Sequence, residues 1–246
     1  MKRLFLSVLF LPLFSYAQNI YATFDVEGLK TSKLTLAVSG VVKSLHVEIG
    51  DKIKKDQILL ELDAKEEKAD ISVAMSEVKL SQISLEQALI KLDRYKKIKN
   101  VIDDERYENI EFEYKKANQA YIKSQNALEL KRAKADKKIL KSPYEGVVTN
   151  LHVELGDGVN GSATPLISMS SFPKVKLILS FDEKYWGVVK VGQVFKYKVD
   201  GLEKELEGKI AKVYPSVDKN TRKLSAEVFT QDLLPGLFGD GNIIVE

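Results

Sequence analysis

Residues 40–51, GVVKSLHVEIGD, return at 146–157 as GVVTNLHVELGD, identical at nine positions and displaced by 106 residues. Each copy holds short β-branched stretches, Val41-Val42 and Val147-Val148, and ends on a Gly-Asp step that reads as a tight turn. An apolar run follows each copy, at 58–62 and 165–169. One such half cannot bury a face alone. Two can, if they pack about a pseudo-twofold axis. The expected product is a single small β-sandwich built from residues 39–63 and 141–170.

The segment that parts the copies, 64–140, contains no Gly and no Pro and is rich in Ala, Leu, Lys, Glu and Gln, a composition that favours helix. Asp63 with Glu66 three residues on resembles a capping box at its start. Apolar residues recur at heptad spacing: Ile71, Met75, Val78, Leu85, Leu89 and Leu92, with Gln82 as a polar step. A second series runs through Tyr107, Ile110, Tyr114, Ala117, Tyr121, Leu128 and Ala135, with Ser124 and Lys131 as polar steps. The phase breaks at 99–104. Lys96, Lys97 and Lys99 precede the break and Asp103, Asp104 and Glu105 follow it, each sign suited to the dipole of the helix end it sits on. Two antiparallel helices joined by a tight tip are expected, each arm about 35 residues and roughly 50 Å long, closed by Pro143. The fold class is therefore multidomain α+β, with an antiparallel coiled-coil hairpin inserted between two halves of a lipoyl-like sandwich. A small β-barrel is expected to follow.

The last third, 171–246, alternates in short strand-like runs, 175–179, 194–199, 224–229 and 242–245, punctuated by Gly192, Gly201 and Gly208. Residues 182–189 suggest a short helix across the barrel mouth, and Trp186, the only tryptophan, is placed in the core. At the other end, Lys2 and Arg3, an apolar run at 4–14 and Ser15-Tyr16-Ala17 read as a secretory signal at 1–17, cleaved after Ala17. The alternative is an uncleaved anchor. The run is shorter than the roughly 20 residues a membrane-spanning helix needs. Residues 18–38 remain as an N-terminal strand segment. Loss of Lys2 and Arg3 takes the net charge from +3 to +1, no footprint for nucleic acid. The absence of cysteine excludes disulfides, thiolate metal sites, cysteine nucleophiles and a lipidated N-terminal cysteine.

Half-motif, helical hairpin, half-motif and β-rich region, in that order over residues 25–246, resemble the periplasmic adaptor subunits (membrane fusion proteins) of Gram-negative tripartite efflux pumps. Lys141-Ser142-Pro143-Tyr144-Glu145-Gly146-Val147-Val148 is close to the family's S-P-aromatic-x-G-x-V entry to the second half. Pro215-Ser216-Val217-Asp218-Lys219-Asn220-Thr221-Arg222 is similar to its P-x-V-D-x-x-T-R barrel motif. Leu234-Pro235-Gly236-Leu237 is similar to its L-x-P-G-M motif, one residue shorter and with Leu for Met. The same half-motif also occurs in carriers that swing a biotin or lipoyl group, but the hairpin occupies the turn where the modified lysine would sit.

The resemblance implies an adaptor between an inner-membrane resistance-nodulation-division transporter and a TolC-like outer-membrane channel. It implies residence in the periplasm, association with the inner membrane through the transporter, and self-association, as a hexamer in the assembled pump. Longer members continue into a membrane-proximal domain. The sequence in hand stops at Glu246, so that domain is either absent or lies beyond it.

By the same resemblance, the hairpin tip carries channel-contact residues: Arg94 and Ile98 match the R-x-x-x-L part, and Asp103 falls near the family's Ser position. An exposed Arg can pair with carbonyls or carboxylates at helix ends, and an exposed Ile can enter an intersubunit groove. The alternative is an Arg94 tied to Asp93 or Glu105 on a merely solvated tip. No catalytic triad or phosphate loop is present, so no enzyme and no cofactor are expected. His46 and His152, at equivalent repeat positions, are too few for a metal site. A heavy-metal efflux role would favour methionine clusters; Met75 and Met169, the methionines left after processing, are far apart in sequence, which speaks against that role. The remaining readings are an adaptor of an ABC exporter or type I secretion system, and a structural coil of the envelope.

Overall fold

In the computed structural model, residues 18–245 are described; the signal-like segment 1–17 lies outside them. The chain opens with β1 (Gln18–Gly28) and β2 (Thr31–Leu34). The first repeat folds as β3 (Gly40–Leu45), β4 (Lys52–Ile53) and β5 (Ile58–Leu62). Helices α1 (Lys65–Lys96) and α2 (Asp104–Asp136) follow. The second repeat brings β6 (Ile139–Lys141), β7 (Gly146–Leu151), β8 (Gly158–Val159) and β9 (Ile167–Ser171). The last strands are β10 (Lys174–Asp182), β11 (Val194–Val199), β12 (Leu206–Asp218), β13 (Lys223–Gln231) and β14 (Phe238–Val245). Two compact units result. One holds 18–32, 145–147 and 169–245, and the other holds 33–144 and 148–168.

The sandwich has two four-stranded sheets, ordered β2-β9-β7-β4 and β6-β5-β3-β8. Under exchange of the repeats one order becomes the other, so each half lends its short strand to the sheet of its twin. The backbone bonds that join the halves come in matched sets. Gly50 N donates to Val148 O at 2.9 Å and Gly156 N to Val42 O at 2.9 Å; Val148 N donates to Asp51 O at 3.0 Å and Val42 N to Asp157 O at 2.8 Å. Asp51 and Asp157 each close their own turn by accepting from Glu48 N and Glu154 N, both at 2.8 Å. Gly50 and Gly156 stand at φ +94° and +92°, a region a β-carbon disfavours. The buried residues match as well: Val42 with Val148, Val47 with Val153, Ile53 with Val159. A repeated sequence gives a repeated half because each half supplies what the other lacks.

The helices are antiparallel, as the cross-pairs show: Lys138 with Glu67, Lys131 with Asp70, and Lys91 with Glu113 at 2.6 Å. In α2 the buried and half-buried positions are the expected ones, with Ile110 and Ser124 fully buried. In α1 the seam differs from the expected one. It runs 71, 74, 78, 81, 85, 88, 92, 95, so Ala74, Ser81 and Ala88 face α2 while Met75 and Leu89 are exposed. Both phases share 71, 78, 85 and 92. Small residues in the alternate positions let the helix backbones approach, and long ones would hold them apart. Ser81, not Gln82, is the polar step in the seam, and it meets Ser124 hydroxyl to hydroxyl at 2.7 Å. The capping box is not formed. Asp63 accepts from Lys65 N at 3.2 Å, but the Asp63 N–H, which Glu66 would have to receive, already donates to Val41 O at 2.9 Å.

The barrel closes in the order β1-β10-β13-β12-β11-β14. Strand β1, read from sequence only as an N-terminal strand segment, sits between β10 and β14, with Ile20, Ala22, Phe24 and Val26 inward. The core centres on Phe24, edge-on to Phe195 at 5.9 Å and to Tyr197 at 5.3 Å. The longest strand, β12, carries no apolar run. It holds Pro215 and two register shifts, so its alternation is masked in sequence. The expected mouth helix is a single 3-10 turn, Glu183–Tyr185. Trp186 is 77% exposed, contrary to the core placement. It follows that turn and precedes Gly187 at φ +81°, so the chain swings it off the wall while Val189 packs inward.

The P-x-V-D-x-x-T-R stretch proves to be a turn device between β12 and β13. Asp218 accepts from Asn220 N at 2.8 Å and Thr221 N at 3.1 Å. These backbone bonds, Thr221's first, hold its carboxyl below the usual range. The L-P-G-L stretch pins β1: Gly236 N donates to Val26 O, and Val26 N to Leu237 O.

Candidate functional site: the hairpin tip

Helix α1 ends at Lys96, a 3-10 turn covers Lys99–Val101, and α2 begins at Asp104. The basic last turn of α1 and the acidic first turn of α2 suit their dipoles. Two contacts to the start of α2, one from α1 and one from the turn itself, hold the tip. Arg106 Nη2 donates to Tyr95 Oη at 3.4 Å, with its guanidinium 5.8 Å from that ring. Lys99 Nζ lies 4.6 Å from the Tyr107 ring centre.

The three expected contact residues all lie on this turn. Arg94 is exposed in the last turn of α1 and makes no ion pair among the described residues; Asp93 is taken by Lys96 at 4.0 Å. The tie to Asp93 or Glu105 is therefore not made, and the guanidinium is open to a partner. Ile98 is 47% exposed. Asp103 is the N-cap residue of α2, with extended backbone (φ −61°, ψ 136°), but its side chain makes no capping bond. It supplies the α2 entry through its carbonyl, which accepts from Tyr107 N at 3.2 Å. Its carboxylate does not cap the helix as an Asp or Ser side chain at this position can.

Sequence reasoning missed Val101, which at 86% exposed is more open than Ile98. It lies in the phase break, where no periodicity marks a face. It also missed Arg106–Tyr95, whose cue was an aromatic and a cation either side of the break. The tip thus offers a free guanidinium and two exposed aliphatic side chains on a pinned turn. Elsewhere, His46 Nε2 lies 3.2 Å from Glu61 and His152 Nε2 lies 2.8 Å from Ser168, each within its own half. Among the described residues no cluster of three metal-ligating side chains occurs, and no helix is long and apolar enough to cross a membrane.

A family model described as "RND MFP, barrel-sandwich hybrid domain" matches residues 30–170, both sandwich halves and the whole hairpin. The chain belongs to this membrane fusion protein family. Among curated relatives, the cobalt-zinc-cadmium resistance protein CzcB of Cupriavidus metallidurans is 24% identical over 233 residues. The match covers 85% of this chain but only 41% of that protein. Among solved structures, a MacA-MexA chimera bearing the Pseudomonas aeruginosa MexA α-hairpin domain is 25% identical, with TM-score 0.73, covering 94% of this chain and 82% of the other. ZneB from Cupriavidus metallidurans, 22% identical with TM-score 0.56 over 94% and 98%, shares the fold. The chain itself runs sandwich half, hairpin, sandwich half and barrel.

Proposed function

We propose that the chain is the periplasmic adaptor of a tripartite efflux pump, joining an inner-membrane resistance-nodulation-division transporter to a TolC-like outer-membrane channel. The observation that carries this reading is the family match across the split sandwich and hairpin, with a pinned tip whose Arg94 makes no ion pair among the described residues. The role is mechanical. Several copies, six in the ring the family implies, set their hairpins side by side, and Arg94, Ile98 and Asp103 meet the helix ends of the channel. Its place is the periplasm, held at the inner membrane through the transporter. On the barrel, Trp186 lies with Tyr214, Pro215 and Val217 along an apolar groove, which serves as a contact towards the transporter.

For cargo, the name of CzcB puts cobalt, zinc and cadmium beside drugs. The scarcity of methionine bears only on ligands in this chain, and an adaptor need not touch cargo. The test uses a strain lacking the chain, complemented with the wild type or with Arg94→Asp, challenged with drugs and with the three cations. Wild type should restore resistance to at least one class, and Arg94→Asp should not, at equal protein abundance. Equal rescue by both would remove Arg94 from the channel contact. No rescue by the wild type, with its pump expressed, would remove the adaptor role.

A further inference from the structure

The face of α1 turned away from α2 carries a second apolar stripe. Val73, Leu80, Ile83 and Ile90 are 72%, 60%, 43% and 52% exposed. They fall on one heptad series, 73, 76, 80, 83, 87, 90, with Ser76 and Gln87 in the other two places. The series lies two residues on from the α2-facing seam in each heptad, about 200° round the helix. On α2 the exposed large apolar side chains are sparser, Phe112, Ile122 and Leu130, ten and eight residues apart.

We propose that this stripe is a self-recognition surface, on which a second copy of the chain packs its own α1 antiparallel about a twofold axis. With Leu80 set against Ile83 of the second copy, Val73 meets Ile90 of the second copy and Ser76 meets Gln87 of the second copy. Symmetry repeats every pair. The Ser-Gln layer can hydrogen-bond across the seam and fixes the register.

The flanking charges agree. Lys79 faces Glu86 of the second copy, and beyond the stripe Lys97 faces Glu66 of the second copy; Asp70 and Lys91, on the other flank, are held by Lys131 and Glu113 of their own hairpin. All of these are exposed. A parallel, in-register pair would instead set Arg94 against Arg94 and Lys97 against Lys97, whereas the antiparallel pair sets Lys97 against Glu66. The face from 66 to 97 is about 46 Å long. At about 10 Å wide, two copies bury about 900 Å² in all, the size of a weak, reversible contact. In this dimer the two tips point in opposite directions, so neither copy can join a bundle whose tips all meet one partner. That consequence rests on the adaptor reading; the dimer does not.

The test is sedimentation equilibrium of the chain from about 10 µM to about 1 mM, a range suited to a contact of this size. Mass should rise from one copy towards two. Lys79→Glu sets two pairs of like charges face to face and should weaken association about tenfold; adding Glu86→Lys should restore it to within about twofold. Both are surface changes, and circular dichroism should show the helices intact. Because the chain has no cysteine, orientation can be read by mixing V73C and I90C copies under mild oxidation. The mixed disulfide is expected to dominate. A chain that stays monomeric throughout, an undiminished dimer with Lys79→Glu, or a dominant V73C–V73C product would each overturn the proposal.

Discussion

Replacing Gly50 or Gly156 by alanine isolates the backbone term of the sandwich turns. Both residues stand above +90° in φ, and a β-carbon built on either meets nothing within 4 Å. The whole cost is therefore conformational, about 1–2 kcal/mol for each. The two turns make the same bonds at nearly the same lengths, so the two costs should agree within about 0.5 kcal/mol. Two further glycines act as controls for the same substitution. Gly158, with ordinary φ and open space, should change stability by less than about 0.5 kcal/mol. A β-carbon on Gly146 would lie 2.2 Å from Ser170 O. Backbone, not a side-chain end, must then move, at a cost of about 3 kcal/mol or more. The chain folds as more than one unit, so global melting is a poor readout. Native-state hydrogen exchange at the Val42, Gly50, Val148 and Gly156 amides reports the opening of this unit directly. Neutral G50A and G156A variants, or costs that differ by more than about 1 kcal/mol, would refute the equivalence of the halves.

In the hairpin, Leu92→Ala should cost about 2–4 kcal/mol, read as loss of helical circular dichroism at lower urea, since Leu92 is fully buried in α1. Ser81→Ala should cost under about 1 kcal/mol, because Ser124 still donates to Tyr121 O at 2.7 Å; a larger loss would mean the hydroxyl pair, not small size, sets the seam. On the barrel, Glu227 accepts from Tyr214 Oη at 2.6 Å and Lys176 Nζ at 3.0 Å. Tyr214 first, then Lys176, outweigh burial and hold its carboxyl below the usual range. Burial alone would pull the Lys176 ammonium down, but Glu227 more than offsets it. A depressed carboxylate stabilises the fold fully above its unfolded pKa, and the stabilisation is lost as pH falls through the folded value. Glu227→Gln should thus cost about 1–2 kcal/mol at neutral pH and flatten the acid limb of the stability curve measured by urea unfolding. Trp186→Ala should leave barrel stability within about 0.5 kcal/mol while reducing efflux; a large melting shift would return Trp186 to a structural role.

The tip of the hairpin was legible in outline. Charge signs and the break in phase located the turn, and the family resemblance drew attention to Arg94 and Ile98, which the structure places exposed on it. Val101 was missed, because exposure inside an irregular turn follows from how the chain bends rather than from any period. The capping box at Asp63 failed for a related reason: its amide was claimed by Val41, a bond between segments that local pattern cannot show.

Residues 40–51 and 146–157 are identical at nine of twelve positions, so they adopt the same half, and neither half closes without the other; that much is in the amino-acid sequence alone. So is the hairpin, since a Gly- and Pro-free stretch with apolar heptads and one charge-reversed break has few other uses. Only the tertiary structure chose between Ala74 and Met75, or Ala88 and Leu89, for the seam. Both phases satisfy the heptad, hydrophobicity prefers the larger residue, and the close approach of two backbones prefers the smaller. Only the structure placed β1 between β10 and β14 and turned Trp186 outward. Strand partners distant in sequence, and the side a residue takes after a turn, are settled by which surfaces remain to be covered once the rest of the chain has packed.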